Sequence, residues 1–139
     1  MITIISALFQ QVTLLDPNFA IVDNQDNIKE EVLNMPAQTI TTDTFNDTIK
    51  DGVTLVDFWA TWCPPCRMQG PIVEKLSEEY DGQAKVGKVD VDNNQDLAAQ
   101  FGIQSIPTLL LFKDGELVNK FIGLQAKDVL DGALKDALA

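Results

Sequence analysis

Cys63 and Cys66 are the only cysteines in the chain, and they stand three residues apart in Trp62-Cys63-Pro64-Pro65-Cys66. A Cys-x-x-Cys pair at the start of a helix can cycle between dithiol and disulfide. Backbone N–H groups and the helix dipole at an N-terminus stabilise a thiolate, the nucleophile of disulfide exchange. Three blander readings stand beside this one. A structural zinc site needs about four Cys or His ligands, and the chain has two cysteines and no histidine. A static disulfide here would close a very short loop, where a cross-link stabilises least. Two inert buried thiols would simply pack as small apolar groups. The placement of the pair favours redox chemistry.

The flanking elements must deliver the pair to such a helix start. Val53-Thr54-Leu55-Val56-Asp57-Phe58-Trp59-Ala60 reads as a buried strand interrupted by one carboxylate. Behind the cysteines, Met68, Ile72, Val73, Leu76 and Tyr80 recur at helical spacing. Cys63, first in the turn and exposed, is expected to be the nucleophile, its pKa held below the ~8.5 of a free thiol. Cys66, one turn into the helix, is expected to be buried and to resolve the mixed disulfide by attacking Cys63. Its proton needs an acceptor, and Asp57 is the candidate, since burial would raise a carboxylate pKa toward neutrality. The other reading has Asp57 pointing outward from a sheet edge. Trp59, Met68 and Ile72 are expected in the core, and Pro71 should kink the helix without ending it.

From residue 37 the pattern alternates strands with helices. Thr39 to Thr41 reads as a short strand, and Asp43 as the cap of a helix ending at Gly52. After the motif helix, which stops at Tyr80, come a strand over Ala84 to Val91 and a short helix from Gln95 to Phe101. Thr108 to Phe112 is an apolar strand, Lys113-Asp114-Gly115-Glu116 a hairpin turn, Leu117 to Ile122 an antiparallel return, and Ala126 to Leu138 an amphipathic helix. This order predicts an α/β fold with a central mixed sheet flanked by helices on both faces.

Two segments carry a resemblance to the thioredoxin family. They are Val56-Asp57-Phe58-Trp59-Ala60-Thr61-Trp62-Cys63-Pro64-Pro65-Cys66-Arg67-Met68, followed by Pro71, and Gly102-Ile103-Gln104-Ser105-Ile106-Pro107-Thr108-Leu109-Leu110-Leu111-Phe112. The likeness runs from about Thr39 to the C-terminus and includes the late Gly123. It implies the thioredoxin fold, Asp57 as the family's buried carboxylate and Lys88 as a lysine paired with it; for Lys88, a solvated surface position is an equal reading. It also implies that Pro107 is a cis-proline lying against the cysteines. Trp62, Ser105, Ile106, Ile122 and Gly123 would then surround the thiol as a docking surface, with the Ile106 backbone free to pair with an extended substrate. One departure is Pro64, where the family usually has glycine. It removes a backbone N–H near the Cys63 sulfur and restricts the turn. Residues between the cysteines tune the potential, and about 30 mV is worth ~1.4 kcal/mol in this couple.

The chain has 139 residues, 45% of them hydrophobic and 22% charged, which suits one globular domain. A net charge of −11 argues against nucleic acid and against an anionic membrane surface. One reactive cysteine pair and no other fits a reducing compartment. The apolar stretch Ile2 to Phe9 is too short to span a bilayer. It also lacks the basic residues of a secretory signal, since the first positive side chain is Lys29. A cytoplasmic location is expected. Residues 1–35 read as an N-terminal extension and 36–139 as the thioredoxin domain. The extension is either genuine, packing on the domain or mediating self-association, or untranslated, with the start at Met35. Lys29-Glu30-Glu31 permits codons that form a purine-rich ribosome-binding sequence three codons before that methionine.

The function expected is a general protein-disulfide reductase that acts as a monomer on disulfide-containing proteins. It would bind no cofactor or metal, and the resemblance implies electrons from NADPH through a separate thioredoxin reductase. Two other classes are weighed beside it: a specialised thioredoxin-like reductase of an extracytoplasmic pathway, and a non-catalytic thioredoxin-fold binding module.

Overall fold

A computed structural model describes residues 37–139; the extension over residues 1–35 and the expected start at Met35 lie outside the described residues. Among the described residues there are five strands and four helices. They are β1 (Gln38–Thr39), α1 (Thr42–Ile49), β2 (Val53–Trp59), α2 (Pro64–Glu79), β3 (Ala84–Asp90), α3 (Gln95–Gln100), β4 (Thr108–Lys113), β5 (Glu116–Ile122) and α4 (Lys127–Leu138). The strands form one mixed sheet in the order β1-β3-β2-β4-β5. β1, β3 and β2 run parallel, and β4 and β5 add antiparallel. This is the mixed α/β architecture expected from the element order, and it agrees with the thioredoxin fold that the resemblance implies.

β2 lies at the centre of the sheet, and alternation along it separates two cores. Leu55 joins Val86, Leu109 and Leu111 under Val73 and Leu76 of α2 and Leu130 and Leu134 of α4. On the opposite face, Val56 and Phe58 join Val89, Leu110 and Phe112 under Phe45 of α1 and Leu97 of α3. Because the central strands are covered on both sides, they read as continuous apolar runs. Phe45, Phe101 and Phe112 meet with ring centroids 5.2–5.6 Å apart, in the tilted and edge-on geometries that aromatic quadrupoles favour.

Local chemistry sets the element boundaries. Thr41, rather than Asp43, stands at the N-cap of α1, in an extended conformation, and its N–H donates to Thr44 Oγ1 at 3.0 Å. Asp43 lies in the first turn, where its charge still complements the helix dipole. The β4–β5 hairpin turns at Asp114 and Gly115, both at positive φ (50° and 89°), as a two-residue primed turn requires. Asp114 Oδ1 accepts from the Gly52 N–H at 2.8 Å, tying the turn to the residue just before β2. At the far end of α2, Lys127 Nζ bridges Glu79 at 2.7 Å and Asp131 at 3.0 Å, and Tyr80 donates to Asp131 at 2.8 Å. These bonds join α2 to α4.

α2 passes through Pro71 and continues to Glu79. Its buried stripe runs through Cys66, Gln69, Val73, Leu76 and Tyr80. Met68, expected in the core, is 62% exposed. The 3.6-residue period places position 69, rather than 68, in line with 73, 76 and 80. A polar residue in that line concealed the true phase. Ile72 packs partly buried against the α2–α4 core.

Gly87 marks a close approach in the sheet. A Cβ there would overlap the buried Ile40 side chain and come within 3.1 Å of the Gln38 carbonyl oxygen. Gly87→Ala is therefore expected to destabilise the domain by about 1–3 kcal/mol through overpacking. Adding Ile40→Val should recover part of the loss, so urea denaturation of the two single variants and the double variant should be non-additive.

Candidate functional site

The last residues of β2 lead through Ala60 and Thr61 into the start of α2. Cys63 is the N-cap of that helix, with extended backbone angles (φ −100°, ψ 110°). Those angles serve two demands at once: an N-cap is non-helical, and a residue before proline avoids the helical region. Pro64 and Pro65 occupy the first two helical positions, where a missing N–H breaks no intrahelical bond. The first three helical positions thus carry a single backbone donor, the Cys66 N–H, and it points at Cys63 Sγ at 3.2 Å.

Cys63 and Cys66 are joined as a disulfide. The exposure expected for Cys63 is not found. It is only 3% exposed, packed with Cys66 and Ala60 against Trp59, Val91 and Ile106. Cys66 is equally buried.

Asp57 occupies the middle of β2 with no exposed surface, which removes the outward-facing alternative. It follows Leu55 on the face covered by α2 and α4. Trp59, the next residue on that face, packs against the cysteine cluster. Neither carboxylate oxygen has a hydrogen-bond partner among the described residues. Burial is the main cause that pushes the Asp57 pKa from 3.8 up to about 7, against a weaker opposing pull from the charge of Lys88. Lys88 lies opposite Asp57 in the β2–β3 register. Its ammonium is 3.8 Å from Glu74 Oε2 and 4.7 Å from the centroid of the Trp59 ring. Lys88 therefore acts on Asp57 through its field rather than by a direct bond.

The Ile106 segment lies against the disulfide, and the end of β5 is tied to that segment. The Ile106–Pro107 peptide bond is cis, and the Ile106 carbonyl oxygen lies 3.7 Å from Cys63 Sγ. Ser105 is exposed and its carbonyl accepts from Thr108 Oγ1 at 2.6 Å. Gly123, at φ 91°, donates its N–H to the Pro107 carbonyl at 2.8 Å and so joins the end of β5 to the proline loop. Trp62 and Ile122 are each 62% exposed, and Trp62 Nε1 donates to Asp92 Oδ2 at 2.8 Å. Asp92 and Gln69 belong to this neighbourhood without standing out in the sequence. Asp92 is one of several acids after β3, and Gln69 shows itself only once the helix phase is known.

Among the described residues, no group of three or more His, Cys, Asp or Glu side chains is placed to hold a metal ion. No helix among them is long and apolar enough to cross a membrane.

A family model described as Thioredoxin matches residues 36–136. Thioredoxin from Staphylococcus saprophyticus is 54% identical over 91 residues, covering 66% of this chain and 88% of the relative. The Staphylococcus haemolyticus protein is 53% identical over the same shares of each. Among solved structures, a variant thioredoxin from Halobacterium salinarum NRC-1 superposes with a TM-score of 0.70 at 39% identity, over 76% of this chain and 94% of that one. Thioredoxin from Malassezia sympodialis does so at 0.67 and 36% identity, over 74% and 91%. With a disulfide-bonded Cys-x-x-Cys pair capping the helix that follows the central strand, the chain belongs to the thioredoxin family and is a thiol-disulfide oxidoreductase that reduces protein disulfides.

Proposed function

We propose that Cys63 is the attacking thiol, Cys66 the resolving thiol and Asp57 the acceptor of the Cys66 proton. The observation that carries this assignment is the Cys66 N–H aimed at Cys63 Sγ, which favours the thiolate at Cys63 over Cys66. In the first step the Cys63 thiolate attacks one sulfur of a substrate disulfide. A Cys63–substrate disulfide forms and the other substrate sulfur leaves as a thiolate. In the second step Cys66 passes its proton to the Asp57 carboxylate and attacks Cys63 Sγ. The Cys63–Cys66 disulfide forms and the second substrate thiolate departs. Two electrons have moved from the dithiol to the substrate. A carboxylate with a pKa of about 7 can both take and release the proton near neutrality.

Trp62, Ser105, Ile106, cis-Pro107, Ile122 and Gly123 form the docking surface in this reading. Trp62 and Ile122 are apolar and exposed, and the Ile106 carbonyl faces Cys63 Sγ. Lys88 moderates the Asp57 charge, and Pro64 and Pro65 tune the couple by withholding N–H donors. Disulfide-bearing proteins are the substrates. The family's route supplies the electrons: NADPH, through a separate thioredoxin reductase. Residues 36–139 act as one monomeric domain in the cytoplasm, and translation from Met35 would yield that domain nearly alone.

Two outcomes test the assignment. Cys66→Ser should accumulate a mixed disulfide with an oxidised protein substrate, visible by intact mass and released by dithiothreitol, whereas Cys63→Ser should form none. A double serine variant that still performs the protein's task would instead mark a binding role.

Asp57 makes a separate prediction through pH. Its folded pKa lies above its unfolded value, so between the two the folded state binds more protons. Stability therefore falls as pH rises from about 4 to about 7 and then levels off. The gap between 3.8 and about 7 corresponds to about 4 kcal/mol. Asp57→Ala should thus be more stable than the parent by about 2–3 kcal/mol at pH 8, after about 1–2 kcal/mol for the small cavity, and less stable than it by about 1 kcal/mol at pH 4, where only the cavity cost remains. Denaturant unfolding at the two pH values checks this, and a gain independent of pH would contradict it. The same variant should reduce protein disulfides more slowly.

A further inference from the structure

Gln69 lies three residues after Cys66 and has no exposed surface. Its line on α2 is otherwise apolar, with Val73, Leu76 and Tyr80 beneath it, so a leucine would fit that line without burying an amide. Both ends of the carboxamide are used, and both on one residue. Oε1 accepts the Gln125 N–H at 2.7 Å, and Nε2 donates to the Gln125 carbonyl at 3.1 Å. The side chain thus pairs with Gln125 as the peptide of a neighbouring strand would. Gln125 lies beyond Ile122, where β5 ends, and before α4, so no strand is there to take those groups.

Gln125 continues the chain of bonds. Its own Nε2 donates to the carbonyls of Ile122 at 3.2 Å and Gly123 at 3.3 Å. The Gly123 N–H in turn donates to the Pro107 carbonyl at 2.8 Å. An unbroken series of hydrogen bonds therefore runs from the helix that carries both cysteines to the Gly123 segment and on to the cis-proline loop.

We propose that Gln69 is a positioning residue for protein substrates: its buried carboxamide holds the Ile122–Gln125 segment at a fixed height beside the disulfide. This rests on the docking-surface reading given above. Gln69 touches neither sulfur, so it governs how an extended substrate seats and leaves the thiol chemistry alone. A small disulfide with no peptide to seat should not sense it.

Gln69→Leu tests the proposal, with insulin as the protein disulfide and 5,5′-dithiobis(2-nitrobenzoate) as the small one. Losing both bonds should raise the KM for insulin about five- to twenty-fold, with kcat and the small-disulfide rate changed less than about two-fold. The equilibrium of the pair with glutathione should not move. Hydrogen exchange of the Gln125 amide should accelerate while that of Leu109 to Leu111 stays slow; a merely structural role would loosen the core amides and leave the KM ratio alone. Ile122→Ser, which leaves the clamp intact, separates the two ideas. If it raises the insulin KM and Gln69→Leu does not, the clamp is overturned and the docking surface stands. If neither raises it, the docking surface falls and the proposal with it. Should Gln69→Leu fail to fold, the near-isosteric Gln69→Met removes the same two bonds to the Gln125 backbone; an unchanged insulin KM there overturns the proposal.

Discussion

The hydrogen bond from the Cys66 N–H to Cys63 Sγ is the interaction on which the site depends. A helix N-terminus leaves its first N–H groups without partners, and a chain can direct several of them at one sulfur. Here Pro64 and Pro65 withdraw the first two, and the third alone remains. The sulfur of Cys63 is thereby supported as a thiolate, but sparingly. Asp57, buried on the sheet face beneath α2 and without a hydrogen-bond partner among the described residues, adds a negative charge that opposes further thiolate stabilisation. A dithiol stabilised this little surrenders electrons readily, because a couple becomes oxidising when its reduced form is strongly favoured.

The fold exists to hold that geometry. β2 is the central strand, covered on both faces, and it delivers the cysteines to the end of the sheet on a backbone that cannot shift without disturbing two cores. Two of the polar exceptions to those cores, Asp57 and Gln69, sit on the central strand and on the helix that Cys63 caps. Among the described residues Asp57 has no hydrogen-bond partner, whereas Gln69 is satisfied at both ends. An unsatisfied buried carboxylate is costly, and its persistence in an otherwise well-packed strand is the sort of local conflict that function explains. Lys88 tempers the cost through its field while spending its contacts on Glu74 and Trp59.

Much of this was legible in the residues. The run from Val53 to Trp59 announces a strand buried on both faces, and Asp-Gly announces the hairpin, because each pattern reports a single local rule. Three features were hidden because they depend on context. Met68 looks like a core residue until Gln69 is seen to hold the buried line; a polar side chain satisfied by a distant backbone has no sequence signature. The N-cap of α1 fell on Thr41 because the chain turns there, although Asp43 has a suitable side chain. Cys63 is covered rather than exposed because Ile106 comes from a loop more than forty residues away to lie against it. Only the tertiary arrangement decides such contacts.

The most direct test of the account is the equilibrium of Cys63–Cys66 with a glutathione redox buffer, followed through Trp59 and Trp62 fluorescence. One backbone donor on Cys63 and an unpaired carboxylate beneath the helix predict a potential more reducing than the cytosolic glutathione pool, whose poise is about −220 to −260 mV by biochemical extraction. A potential well above that range would show a strongly stabilised dithiol. It would contradict both the sparing support of the Cys63 thiolate and the assignment of the protein as a reductase.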